Sequence, residues 1–159
     1  MKGDVKVIEL LNEALKNELT AVNQYWLHYR MLDNLGVGHL AEFERQESID
    51  EMKHADKLAA RILFLDGLPN FQMLGRLRIG ENVEELLRAD LALEMEALTQ
   101  LREAVAHCET VRDYVSRDLF AEILQNEEEH VDTLERQFEM IEKMGLQNYI
   151  QLQSKPAEE

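Results

Sequence analysis

Hydrophobic positions recur three and four apart along most of this chain, the period of a helix buried along one face. The first stretch runs from Val5 to Asn34. Ile8, Leu11, Leu15, Leu19, Val22, Trp26 and Leu32 lie near one stripe, Asp4 is a candidate N-cap, and Gly36 and Gly38 end it. A second stretch runs from about His39 to Leu65 and stops at Asp66-Gly67-Leu68-Pro69. The third opens on Asn82, a good cap with Glu84 and Glu85 in the first turn, and continues through Leu87, Leu91, Leu98, Leu101 and Val105 to about Glu109. Thr110 to Asp113 reads as a capping box for a fourth. That helix carries Phe120, Ile123, Leu124, Val131, Leu134, Phe138 and Ile141 and ends at Gly145. A short amphipathic piece, Leu146 to Leu152, precedes a polar tail.

Each main helix is about 40 to 50 Å long at a helical rise. The first and third connectors are short and make antiparallel hairpins. The middle one, Asp66 to Glu81, can span about 50 Å when extended, the length of a helix. Helices two and three can therefore run parallel. The expectation is an all-α, four-helix bundle with one long crossover and a short fifth C-terminal helix. Residues 1–145 would form the bundle domain, and 146–159 the short helix and tail.

Charge narrows the partners. The formal net charge of −15 argues against nucleic acid or an anionic membrane and favours cations. One cysteine, Cys108, excludes an internal disulfide framework and fits a reducing compartment. Neither a signal peptide nor a membrane-length apolar run is visible, so the cytoplasm is the expected location.

The chemistry lies where the apolar pattern breaks. Glu18 interrupts the stripe of the first helix and Glu94 that of the third. Two of the five histidines follow a glutamate by three residues, in Glu51/His54 and Glu127/His130. The same 33-residue step separates Glu18 from Glu51 and Glu94 from Glu127, and the two sets are related by a shift of 76. This is a repeated constellation: Glu on one helix, Glu-x-x-His on its hairpin partner. Unpaired in a bundle seam, four carboxylates and two imidazoles would each cost several kcal/mol, and no Arg or Lys stands level with them. Two divalent cations would neutralise the four carboxylates; a metal-free Glu/His hydrogen-bond network is the competing account. Oxygen donors with one imidazole per metal suit iron or manganese better than zinc. His28, His39 and His107 lack such companions and read as surface or satisfied polar residues. Cys108 reads as a small packed hydrophobe.

This is the ligand pattern of ferritin-like di-iron bundles. The chain resembles the bacterioferritins over essentially its full length. The matching stretches are MKGD at 1–4, NQY at 23–25, ESIDEMKHAD at 47–56, RILFLDGLPN at 61–70, DYVSRD at 113–118, EEEH at 127–130 and MGLQNY at 144–149. The resemblance implies two iron ions per subunit. Glu51 and Glu127 would bridge them, Glu18 and His54 would complete one, and Glu94 and His130 the other. It implies a ferroxidase that converts Fe²⁺ with oxygen or hydrogen peroxide and stores ferric mineral in a shell of 24 subunits built from twofold dimers. Tyr25, about 20° around the helix from Glu18, would hydrogen-bond a ligand carboxylate. Glu44 and Glu47 extend the face of Glu51 and would form an acidic path for iron or stand as solvated carboxylates where the bundle opens. Asp50, on a third face, would by resemblance continue that path at the cavity wall, although the histidine that joins it in some family members is Gln46 here.

Met52 points about 130° away from the seam of Glu51 and His54, onto a face shared with Arg45, Ser48, Asp56 and Ala59. By resemblance it would bind the iron of haem b, one haem per subunit dimer, although Arg45 stands where the family commonly has an aromatic residue. Haem would admit electrons for iron release, with a small ferredoxin or reductase as donor. Asn148 and Gln151 would line fourfold pores. Two rivals share parts of the pattern: a di-iron oxidase or peroxidase that stores nothing, and a metal-free bundle. A Cys₄ iron site cannot be built from one cysteine.

Overall fold

A computed structural model describes residues 1–154 and contains five helices: α1 (Val5–Asn34), α2 (Gly38–Phe64), α3 (Val83–Val111), α4 (Tyr114–Met144) and α5 (Leu146–Gln153). There is no strand among the described residues. The rest of the expected polar tail lies outside them.

The caps explain where helices begin. Asp4 accepts the Val7 amide at 2.9 Å to open α1, and Asn82 accepts that of Glu85 at 3.0 Å to open α3. The expected box at Thr110 does not form. Helix α3 runs on through Val111, Arg112 turns left-handed at φ 59, and Asp113 caps α4 by accepting the Ser116 amide at 3.0 Å. Thr110 is instead still helical and donates back to the His107 carbonyl. The cap is chosen by a tertiary partner. Arg61 of α2 reaches Asp113 at 3.0 Å and Ser116 at 2.9 Å, tying the α3–α4 turn to the end of the first hairpin.

Cross-helix contacts give the topology. Gln100 reaches Leu10, Tyr25 reaches Glu94, and Gln24 and His28 reach Asp90, so α1 and α3 are antiparallel. Glu47 meets His130, Lys57 meets Glu122 and Arg61 meets Asp113, so α2 and α4 are antiparallel too. Since α1 also opposes α2 in its hairpin, α2 and α3 run parallel, as a long crossover requires.

That crossover is stitched to α1 rather than free. Asn12 bonds the Leu68 carbonyl and the Asn70 amide, Thr20 accepts the Gly75 amide, Gln24 that of Arg78, and His28 that of Gly80. Residues on one line of α1 thus satisfy backbone groups of an extended segment that has no sheet partner.

Two apolar layers fill the bundle. One holds Leu11, Leu15, Leu58, Ile62, Phe120 and Ile123; the other holds Leu32, Leu40, Leu86, Leu87, Leu134 and Tyr149. Cys108 packs in the first layer, as expected of a small hydrophobe. Tyr149 anchors α5, its side chain buried and its hydroxyl donating to Gln137 at 2.8 Å. Among the described residues, no helix is long and apolar enough to cross a membrane.

Candidate metal centre

Between the two apolar layers lies a polar one, brought in by all four long helices. Glu18 comes from α1, Glu51 and His54 from α2, Glu94 from α3, and Glu127 and His130 from α4. The four glutamates are 0 to 3% exposed and His54 is 5% exposed. The three-residue step from each α2 or α4 glutamate to its histidine puts both on one helix face. The hairpins then bring Glu18 and Glu94 opposite.

The carboxylates are shared in a regular way. His54 Nδ1 lies 3.3 Å from Glu51 Oε2, 3.1 Å from Glu127 Oε1 and 3.6 Å from Glu18 Oε2. His130 Nδ1 lies 3.0 Å from Glu51 Oε1, 3.3 Å from Glu127 Oε2 and 3.7 Å from Glu94 Oε1. Glu51 and Glu127 thus divide their two oxygens between the histidines, while Glu18 serves only the first and Glu94 only the second. Within each set of one imidazole and three carboxylates, candidate ligand atoms all lie within 4.8 Å of one another. Glu51 Oε1 and both oxygens of Glu127 are buried and, although an imidazole nitrogen stands close to each, none accepts a hydrogen bond of good geometry.

Electrostatics follow from burial and crowding. Burial, then the charges of Glu51 and Glu127, push Glu18 well above the usual carboxylate range. Burial and Glu127 do the same to Glu94. Burial alone would raise Glu51, but the close approach of Glu18, His130 and His54 outweighs it and holds it below the usual range. Burial disfavours the charged form of His54, yet Glu127, Glu18 and Glu51 prevail and push it up to about 12. His130 is raised as well, against its own burial, by Glu127, Glu47, Glu51 and Glu94. Most of these shifts favour the protonated form, so a divalent cation entering the cluster would compete with protons for the same atoms.

The outer partners differ between the halves. His54 Nε2 meets the Asn126 amide at 3.0 Å, whereas His130 Nε2 meets the Glu47 carboxylate at 2.8 Å. Tyr25 is fully buried and donates its hydroxyl to Glu94. Burial, with the negative charge of Glu94 and Asp90, keeps the phenol protonated well above its usual range.

A cleft of about 260 Å³ opens onto the two histidines, lined by Asp50, Asn126 and Glu129, with Lys53 and Lys57 also in its wall. Asp50 is held by Gln46 at 3.0 Å and approached by Lys53 at 3.5 Å, so Gln46 occupies this carboxylate as a donor. Glu47, Asp50 and His130 nevertheless form a candidate ligand group.

A model of the ferritin-like domain matches residues 8–144. The chain is 53% identical over 159 residues to bacterioferritin of Brucella melitensis, covering 100% of this chain and 99% of that one. The chain belongs to the bacterioferritin family. It is also 50% identical to bacterioferritin of Rhodobacter capsulatus, over 98% of this chain and 97% of the relative. Bacterioferritin BfrA of Mycobacterium tuberculosis is 48% identical, with 94% of each chain covered.

Met52, 48% exposed, lies on the outer face as its helical angle predicts. Trp26 on α1 is exposed too, with the Arg45 guanidinium 6.0 Å from the centre of its indole. Ser48 is not on this face. It is buried and donates to the Val22 carbonyl at 2.8 Å, because α1 packs closely there.

Sequence reasoning underread one group. His28 is a satisfied polar residue as expected, but it is fully buried, and Asp90, Glu44 and Gln24 are buried around it. Asp90 stands one turn before Glu94 on the same helix face, a break in the apolar stripe that could have been read. Asn126 carried no comparable signal.

Proposed function

We propose that this chain is the subunit of an intracellular iron store and that its polar layer is a ferroxidase centre. The observation that carries this is the division of the Glu51 and Glu127 oxygens between two histidines. That geometry suits two cations bridged by two carboxylates, each completed by one terminal glutamate and one imidazole. Orphaned buried oxygens on the bridging residues fit the same reading. Iron is the substrate. One electron leaves each of two Fe²⁺ ions. Dioxygen accepts both with two protons to give hydrogen peroxide, or hydrogen peroxide accepts both with two protons to give two waters. The oxygen-rich ligand set stabilises the ferric product.

The likeness to bacterioferritins supports iron storage; in this reading the store is a cytoplasmic shell of 24 subunits built from twofold dimers, with Asn148 and Gln151 toward its fourfold axes. An exposed thioether at Met52, on the same outer side of α2 as Arg45, fits haem b held between two copies, with one methionine from each. Arg45, lying against Trp26, fills the place of the aromatic expected there. When bound, haem would conduct electrons inward for iron release from a small ferredoxin or reductase.

Aerobic addition of Fe²⁺ to metal-free protein tests the centre. Glu18→Ala with Glu94→Ala should abolish rapid oxidation; oxidation at the wild-type rate would sink the assignment. Size exclusion tests storage, because an oxidase that stores nothing need not assemble beyond a dimer. Met52→Leu should remove the visible haem band.

A further inference from the structure

Beside the metal layer, under the end of the crossover, lies a second buried cluster of His28, Glu44 and Asp90, each 0% exposed. One ligand-type atom of each lies within 4.8 Å of the others. Asp90 Oδ1 accepts from Gln24 Nε2 and pairs with His28 Nδ1, both at 2.9 Å. The other ends of the same two side chains hold the crossover, since Gln24 Oε1 accepts the Arg78 amide at 2.9 Å and His28 Nε2 the Gly80 amide at 3.2 Å. Because Nε2 accepts, Nδ1 carries the ring proton and donates to Asp90.

This leaves Asp90 Oδ2 and both oxygens of Glu44 buried and without a partner. Two adjacent buried carboxylates, both ionised, would repel and go unsatisfied. A cation could relieve this, but both His28 nitrogens are already engaged and the imidazole is not free to ligate. A proton needs no ligand set and no space.

We propose that Glu44 and Asp90 share a single proton, Glu44 donating to Asp90 Oδ2, and that this acid–carboxylate pair latches the crossover onto the bundle. The pair bears one negative charge, held by donors from Gln24, His28 and Glu44. Burial and the neighbouring Asp90 charge push Glu44 well above the usual carboxylate range, in the same sense. The other titratable groups facing it are Tyr25 and His28 on α1, Glu47 on α2, Glu94 on α3 and Tyr149 on α5. On α4, His130 is bound to Glu47. Glu47 and Glu94 act on Glu44 in the same sense as Asp90, which also favours the proton there. The latch concerns the chain without metal and stands independently of the iron reading.

Infrared spectra of full-length wild type and Glu44→Gln, before and after Zn²⁺ addition, test it. The wild type should show one carboxylic-acid carbonyl band that survives Zn²⁺ and is absent in the variant. Asp90→Asn should shift that band by removing its ionised acceptor, a second readout if Glu44→Gln folds poorly. Hydrogen exchange at the Arg78 and Gly80 amides should accelerate about tenfold or more in Glu44→Ala and return toward wild type in Glu44→Gln, which keeps a donor to Asp90. Identical carbonyl regions in wild type and Glu44→Gln would overturn the proposal. So would anomalous scattering that places Zn²⁺ between Glu44 and Asp90.

Discussion

The two halves of the buried polar layer use the same residue types at the same spacing, yet they are not equivalent. Three carboxylates face His54, from Glu18, Glu51 and Glu127, and its far nitrogen meets a neutral amide. Four face His130, from Glu47, Glu51, Glu94 and Glu127. Tyr25 also supports Glu94, while its counterpart by the 76-residue shift is Leu101, which cannot donate. Glu47 and Asn126 have Ile123 and Asp50 at the corresponding positions. The ligand shell repeats and its supports do not. A proton on His130 is therefore harder to displace, and the His54 half should take up a cation first.

The largest effect should come from what the halves share. Glu51→Ala or Glu127→Ala removes a donor from both, so cation binding and iron oxidation should fall beyond the roughly 10- to 100-fold typical of losing an outer partner. Stopped-flow oxidation of Fe²⁺ measures the loss. A variant that impaired only one of two binding steps would break the bridging picture.

Next in size is proton release. Loading two divalent cations must displace protons from His54, His130, Glu18 and Glu94, whose protonated forms the metal-free cluster favours. Protons should therefore leave as the cations bind near neutral pH, read with a pH-stat and Zn²⁺. Stability of the metal-free protein follows the same protons. All four groups have raised folded-state values, so their contribution is complete below the unfolded values and is lost as pH rises through the folded ones. For His54 that window runs from about 6.5 up to about 12. Urea midpoints should decline with rising pH in metal-free protein, and the decline should flatten once Zn²⁺ is bound.

Tyr25→Phe should act on one half only. Glu94 loses its donor, and the second step of a Co²⁺ titration should weaken by about tenfold while the first holds. Equal weakening of both steps would show that the tyrosine serves the whole layer.

The smallest change expected is at Glu47→Gln, which leaves a polar partner for His130 but removes a charge. By easing proton loss from His130 it should bring the two Co²⁺ steps closer, by less than the change expected for Tyr25→Phe. Steps that moved further apart would reverse the proposed order of filling.

Much of this was legible before folding because two periodicities coincide. Apolar residues at helical spacing place four long helices, and Glu18 and Glu94 stand out because they break stripes otherwise made of Leu, Val and Ile. Asp4 and Asn82 cap where expected because a helix N-terminus needs only a local acceptor. Asp113 displaced Thr110 because Arg61, distant in sequence, rewards the later turn. Ser48 turned inward for a similar reason, having an α1 carbonyl within reach.

The sequence by itself determined the helices, the order of the hairpins and the identity of the six side chains that meet in the buried polar layer, since each follows from spacing along one helix or a matched pair. Tertiary structure alone decided how Glu51 and Glu127 divide their oxygens, and which outer partner each histidine receives. It also decided that Gln24 and His28 bind the crossover while Asp90 and Glu44 close behind them. Those contacts join elements whose relative height is set by packing, and buried polar groups must find partners wherever packing leaves them.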